Sequence, residues 1–564
     1  MITKNIIRSA VRVFSFLLTT SLLLSSCSDQ MEYKEYSIYD ASYMQKKFER
    51  AGGFLSTIYA DLDSDFGNYD GAMLASATDE AVYSHEGASI ESFYNGSWSP
   101  TNPNSSLWTT CYHGIAYCNL FLDEFTGLKF EDYILDKNYM AEMYQYNNYQ
   151  WEARWARAYF YFLLVRQYGG VPLIKDNLTA DEASRQPRAT ADEIFQFIDD
   201  ECVAIKDSIT KDYGDLGALA MTPANNGRAN NLAVLALRAR AALYHASPLF
   251  NPNNDASLWQ KAAQTNKDVI DACSGRSMSL SNDYKGLFIG NTSWSDGQAL
   301  KEIIFGRRMP TENRTFETNN FPVGISGAGA GGGGGNCPTL NLVEAYEEGD
   351  KRFALTVACN GEVWPNANPN PLETFYGGTN GLPTAYGTPT GFYLKKYVTE
   401  SVQIAGNGAN TCKHVWVTFR LGEFYLNYAE ALMNLSGDGY TAPTGYAATA
   451  TAARYINQIR KRAGLADIEE GLSAAEFKAR YEKERFVELA FEGHRFFDVR
   501  RWKEADKYFT NIRGLEITKL PDGSFNETPK TIQTRQWQDK MYLFPIPQSE
   551  ILKSGGSLTQ NPGW

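Results

Sequence analysis

The sequence has 564 residues, enough for one very large domain or several ordinary ones. At 43% hydrophobic and 21% charged it has a globular composition, and its net charge of −12 argues against nucleic acid as a partner and against general attraction to an anionic membrane. The unusual figure is the aromatic content, 34 Tyr, 31 Phe and 11 Trp, since aromatic faces line cores and also stack on sugar rings.

Lys4, Arg8 and Arg12 make a basic start, followed by twelve uncharged residues from Val13 to Leu24. A membrane-spanning helix needs about 20 apolar residues, so the run is too short to span and has the length of a secretory signal. Leu24-Ser25-Ser26-Cys27 closes it, and a cysteine placed there after small residues resembles a bacterial lipobox. The expectation is a signal peptide over 1–26, acylation of Cys27, a polar tether over 27–42 and a single folded body over 43–564. The other seven cysteines are scattered with no CxxC pair, and five His give a Cys/His zinc site little support. No metal or cofactor is expected.

Along the body, apolar spacing predicts helices over 43–62, 106–125, 151–168, 193–206, 229–246, 257–272, 420–435 and 447–463. In 151–168 the small residues Ala153, Ala156 and Ala158 allow a neighbouring helix to come close, and Gly169-Gly170-Val171-Pro172 stops the run. Gly437 and Gly464 sit at two further stops. Ala-rich seams with aromatic knobs suggest tetratricopeptide-like helical pairs, although no fixed 34-residue period runs through the chain. Between about 275 and 415, Gly, Asn, Pro and Thr dominate, and 324–336 holds a glycine run. That run lacks the Gly-Lys-Ser/Thr of a phosphate loop and reads as a mobile surface loop. The predicted fold class is mainly α: a helical scaffold over 43–272 and 415–510 carrying a loop-rich, ligand-facing insertion and a few short strands. Within 484–502, Phe486, Leu489, Ala490, Gly493 and Phe497 fall on one helical face, with Gly493 expected at a close approach. Glu488, Glu492 and Arg495 are expected as exposed ion pairs, leaving Glu488, Glu492, His494 and Asp498 no catalytic role.

Four stretches together resemble the SusD/RagB family of outer-membrane nutrient-binding lipoproteins. They are Trp155–Phe160 with Tyr168–Leu173, Phe419–Ala431, Glu484–Asp498 with Arg501-Trp502, and Leu543–Pro547 with Gln560–Trp564. The resemblance implies a non-enzymatic protein, lipid-anchored in the outer membrane and facing outward. Such a protein binds extracellular glycan and passes it to a SusC-like TonB-dependent transporter, over which it acts as a lid. Peptide or another non-sugar nutrient is the alternative cargo on the same fold. A surface glycoside hydrolase would need two carboxylates about 5–10 Å apart, and Asp79-Glu80 is the only tempting pair near the proposed ligand loop. A purely structural helical adaptor is a further alternative.

Sugar recognition calls for aromatic faces beside amide and charged side chains. The loop 82–100 offers Trp98, Tyr94 and Asn95, set among Ser and Gly with no evident helical core to join. The stretch between Phe305 and Leu340, which in the family commonly faces ligand, offers Arg308, Asn319, Asn320 and Phe321. Trp364, Tyr376 and Tyr386 stand amid Asn, Gly and Pro and complete the expected ligand-binding set.

Overall fold

The computed structural model describes residues 41–104, 107–213, 227–290, 301–325, 331–365, 370–406 and 408–564. Cys27 and the expected signal segment lie outside the described residues, as does part of the glycine run. The main helices are α1 (Phe48–Ala60), α2 (Leu107–Glu124), α3 (Tyr139–Tyr168), α4 (Ala191–Ile205), α5 (Asn231–Ala246), α6 (Ala256–Ser274), the short α7 (Thr315–Asn320), α8 (Leu421–Ser436), α9 (Ala452–Ala463), α10 (Ala474–Glu488) and α11 (Arg495–Arg501).

Their ends follow local chemistry. Thr190 with Glu193 opens α4, and Ser473 with Glu476 opens α10, each pair satisfying two orphan backbone donors reciprocally. Gly437 and Gly464 end α8 and α9 in the left-handed region that a side chain disfavours. Successive helices pack as neighbours, α2 on α3, α3 on α4, α4 on α5 and α5 on α6; α6 then meets α8, which pairs with α9. The helical pairs therefore continue across the long insertion. Gly114 lets α2 approach α3, since a Cβ there would overlap the Phe160 ring. Trp155, fully buried, donates its indole N–H to Ala233 O at 3.1 Å and ties α3 to α5.

The insertion has a core of its own, built from Tyr284, Phe288, Phe316, Tyr393, Tyr397 and Trp416 among others. Short antiparallel pairs stitch it together: β1 (Ala81–Tyr83) with β3 (Asn336–Pro338), β2 (Ile303–Arg308) with β6 (Val415–Arg420), and β4 (Val357–Ala358) with β5 (Tyr393–Leu394). An exposed hairpin, β7 (Asn511–Lys519) and β8 (Phe525–Thr534), follows near the C-terminus.

The segment 484–502 corrects the sequence reading. Helix α10 ends at Glu488, and the chain turns through Phe491 and Gly493, both at positive φ (62° and 75°), before α11 begins. Gly493 is needed for that backbone conformation rather than for close packing, because its Cβ would meet only Trp416 at 3.6 Å. Glu488, Glu492 and Arg495 are buried, not exposed. Glu488 accepts from Arg420 at 2.6 Å, Arg352 at 2.9 Å and Arg462; Glu492 pairs with Arg420 at 2.7 Å and Lys396 at 2.8 Å. Burial works to raise the Glu488 carboxyl, but Arg462, Arg420 and Arg352 together hold it well below the usual range.

A second buried group links the helical scaffold. Glu430 on α8 binds Arg501 at 2.6 Å and accepts the Trp502 indole N–H at 2.8 Å. Burial opposes its ionisation, yet Arg501, with Arg485 and Tyr481 behind it, pulls the carboxyl down to about 2. A depressed carboxylate stabilises the fold above its unfolded value, and that contribution is lost as the pH falls through the folded value. Stability is therefore expected to drop by about 3 kcal/mol from this group alone as the pH falls from about 4.5 toward about 2. Urea unfolding at stepped pH should show a flatter slope for Glu430→Gln over that window; parallel curves for variant and wild type would contradict the assignment.

Candidate functional site

The three loop regions expected to meet ligand do converge on one face, but largely through other residues. β1 ends at Tyr83, and the chain bends through Ser84 and His85, which brings the His85 ring beside that of Tyr83. The His85 ring lies 5.0 Å from Tyr83 and 3.9 Å from Tyr386, with interplanar angles of 18° and 9°. Tyr386 caps this three-ring column and is 54% exposed. One face rests on His85; the other is open to solvent.

The column stands on a rigid floor. His85 Nε2 lies 2.7 Å from Gly333 O, and the Ser84 hydroxyl donates to the same carbonyl at 3.2 Å. Gly334 passes directly under Tyr386, and a Cβ there would collide with the Tyr386 carbonyl oxygen; one on Gly332 would collide with Phe321. The described glycines 331–335 are thus a tightly packed strip, not the mobile loop that their composition suggested. Asn319 donates to Gly71 O at 2.7 Å and accepts from the Tyr83 hydroxyl at 2.9 Å. Burial raises the Tyr83 phenol while its bond to Asn319 works the other way.

Several expected ligand residues belong to the framework instead. Trp98 is only 2% exposed: its ring packs edge-on against Phe93, Phe544 and Trp564 at 4.8–5.0 Å, and its N–H is spent on Pro103 O. Tyr94 is buried beneath the Arg535 guanidinium, 4.4 Å from its ring. Phe321 and Trp364 are buried against each other in the insertion's core, and Asn320 is buried with its amide bonded to Phe316 O and to Asn336. Burial by segments distant in sequence is the common reason. Asn95 is exposed but uses its side-chain oxygen to cap the backbone N–H of Ser97. Arg308 lines a different cavity of about 680 Å³, with Tyr59, Tyr149, Arg228 and Arg307, and burial lowers it to about 9. Tyr376 is exposed, with its backbone N–H tied to Ile517 O of β7. Of the expected set, Tyr386 and the supporting Asn319 belong to the column. Tyr83 and His85 were missed; two rings two residues apart just before Gly87 were the available signal.

The acid pair weighed for hydrolysis lies below β1. Asp79 accepts from Nε and Nη2 of Arg495 at 2.8 and 2.7 Å. Glu80 accepts the Phe491 N–H at 3.1 Å, and burial pushes its carboxyl up to about 8. Neither reaches solvent. A separate buried trio, Glu317, Cys412 and His414, brings three metal-ligating atoms within 4.8 Å of one another. Sequence spacing concealed it, since Glu317 precedes Cys412 by 95 residues.

Comparison with known proteins agrees with this architecture. Residues 301–564 match the model of the SusD family, and residues 44–243 match the model described as starch-binding associating with outer membrane. The chain belongs to the SusD family. A SusD-like protein P2 from Formosa agariphila is 24% identical over 433 residues, spanning 73% of each chain. A SusD-like protein from Bacteroides fragilis superposes with a TM-score of 0.74 at 22% identity, over 93% of this chain and 98% of that one. Surface glycan-binding protein A from Bacteroides thetaiotaomicron, solved in complex with laminarihexaose, superposes with a TM-score of 0.61 at 21% identity, over 91% and 99%. Within the SusD fold of this chain, the column draws on both matched segments: Tyr83 and His85 come from one, Tyr386 and the glycine strip from the other.

The contrast between Trp98 and Tyr386 is open to measurement. Trp98→Ala is expected to cost about 3–5 kcal/mol in urea unfolding, as for a buried aromatic side chain, and Tyr386→Ala less than about 1 kcal/mol. Equal losses would show that Trp98 is not part of the core.

Proposed function

We propose that this SusD-family chain is a non-catalytic surface protein that holds an extracellular glycan on the Tyr386–His85–Tyr83 column. The observation that carries the reading is the exposed Tyr386 ring, stacked on His85 and carried by a backbone that lies against Gly334. The apolar C–H face of a sugar ring packs on such a face, and a platform already held in place loses little entropy when ligand arrives. The buried, bonded state of Asp79 and Glu80 favours capture over hydrolysis, because neither carboxylate is placed to meet a glycosidic bond.

The lipobox-like Leu24–Cys27 supports acylation of Cys27 and an anchor in the outer membrane with the folded body outside the cell. On this reading the protein works as the lid of a SusC-like TonB-dependent transporter, closing over captured glycan and releasing it inward.

Calorimetry against a panel of soluble polysaccharides, laminarihexaose and mixed peptides tests the proposal. Wild type should bind at least one glycan, and Tyr386→Ala should weaken that binding by about 1–3 kcal/mol, roughly 5- to 150-fold. Glycan affinity unchanged in Tyr386→Ala would remove the column from the site; binding of peptides alone would overturn the choice of cargo.

A further inference from the structure

Helix α7 works in two directions. Asn319 points to the floor of the column, while Glu317, two residues earlier and so about 200° around the helix, faces the insertion's core. The Glu317 carboxylate is fully buried. Its salt bridge among the described residues is to His414 Nε2, 3.1 Å away, and it also meets Cys412 Sγ at 3.4 Å and the Thr399 backbone N–H at 3.2 Å. A carboxylate in such surroundings is costly unless its charge is met. One imidazole, one thiol and one backbone N–H meet it among the described residues.

The three atoms are also spaced as ligands of one ion would be. Zinc held tetrahedrally, ~2.3 Å from sulfur and ~2.0–2.1 Å from nitrogen or oxygen, sets its ligands ~3.5 Å apart for sulfur pairs and ~3.3 Å apart for a nitrogen–oxygen pair. Cys412 Sγ stands 3.5 Å from His414 Nε2 and 3.4 Å from Glu317 Oε1, and His414 Nε2 stands 3.1 and 3.2 Å from the two carboxylate oxygens. The Thr399 hydroxyl is buried beside the Cys412 sulfur and makes no hydrogen bond of normal geometry among the described residues.

We propose that Glu317, Cys412 and His414 form a structural zinc site, with the Thr399 hydroxyl or a water in the fourth position. Binding replaces the thiol proton, which leaves to solvent, and sets a divalent cation against the buried carboxylate. The ion clamps α7 to the isolated bridge just before β6, where Asn313 and Cys412 already exchange backbone hydrogen bonds at 3.0 and 3.1 Å. The site thereby braces Asn319 and the ring column above it. The proposal stands whichever ligand the column takes.

Elemental analysis of the full chain purified without chelator, followed by cobalt titration after chelator treatment, tests the site. Wild type should carry or take up one equivalent of zinc. With Co²⁺ it should develop sulfur-to-cobalt charge-transfer absorption and intense tetrahedral d–d bands, both abolished by added zinc. Cys412→Ser, with native circular dichroism, should lose the charge-transfer band and bind zinc about tenfold or more weakly. Cys359→Ser should keep both properties. The site is refuted if folded wild type takes up no zinc, or if Cys412→Ser retains the sulfur band. Should Cys412→Ser fail to fold, the wild-type cobalt spectrum decides: tetrahedral bands with sulfur charge transfer sustain the site, and weak octahedral bands alone overturn it.

Discussion

The structure turns on a charge network buried where its two halves meet. Arg420 ends β6 and contacts Glu302, Glu488 and Glu492; Arg352 contacts Asp350, Glu484 and Glu488; Arg462 reaches from α9 to Glu302 and Glu488. These residues come from the scaffold helices α9 and α10 and from the insertion alike. Breaking one partner of such a buried set typically costs about 3–5 kcal/mol, because the others are left charged and dry. An insertion rich in Gly, Asn and Pro contributes few regular elements of its own. Its position depends on charges that are satisfied only when the insertion is seated against α9 and α10.

That seating also fixes the place of an exposed ring. Tyr386 lies on a segment with little secondary structure, yet it is located by His85 on one side and by the Gly334 backbone beneath. Those in turn rest on the amides of Asn319, Asn320 and Asn336. Asn336 extends the tie to the Met73 backbone and the Ser76 hydroxyl, both at 2.8 Å. The floor of the column is therefore continuous with the segment that precedes β1. Glycines usually confer freedom; here they remove it, since their lack of a Cβ allows backbone to lie against backbone.

The helices could be read from the chain because their causes are local. Apolar spacing, capping boxes at Thr190 and Ser473, and glycines at 437 and 464 act within a few residues, so the expected ranges match α2, α4, α5, α6 and α8 within about two residues. By contrast, α1 and α9 begin five residues later and α3 twelve residues earlier than expected. The exception within this class is 484–502, where helical spacing runs unbroken through Phe491 and Gly493 although the chain turns there. Its acidic and basic residues read as a solvated face because their partners, Arg352, Lys396 and Arg420, lie far away in sequence.

The sequence by itself settled the mainly helical class and marked out the loops rich in Gly, Asn and Pro between the helices. Only the tertiary structure decided which aromatic side chains in those loops face water. Trp98 and Tyr386 look alike in sequence, each an aromatic amid small polar residues. Trp98 is closed over by Phe544 and Trp564 from the far end of the chain, whereas Tyr386 is covered on one face by His85. Helix formation depends on neighbours along the backbone, but exposure depends on what the rest of the fold lays on top.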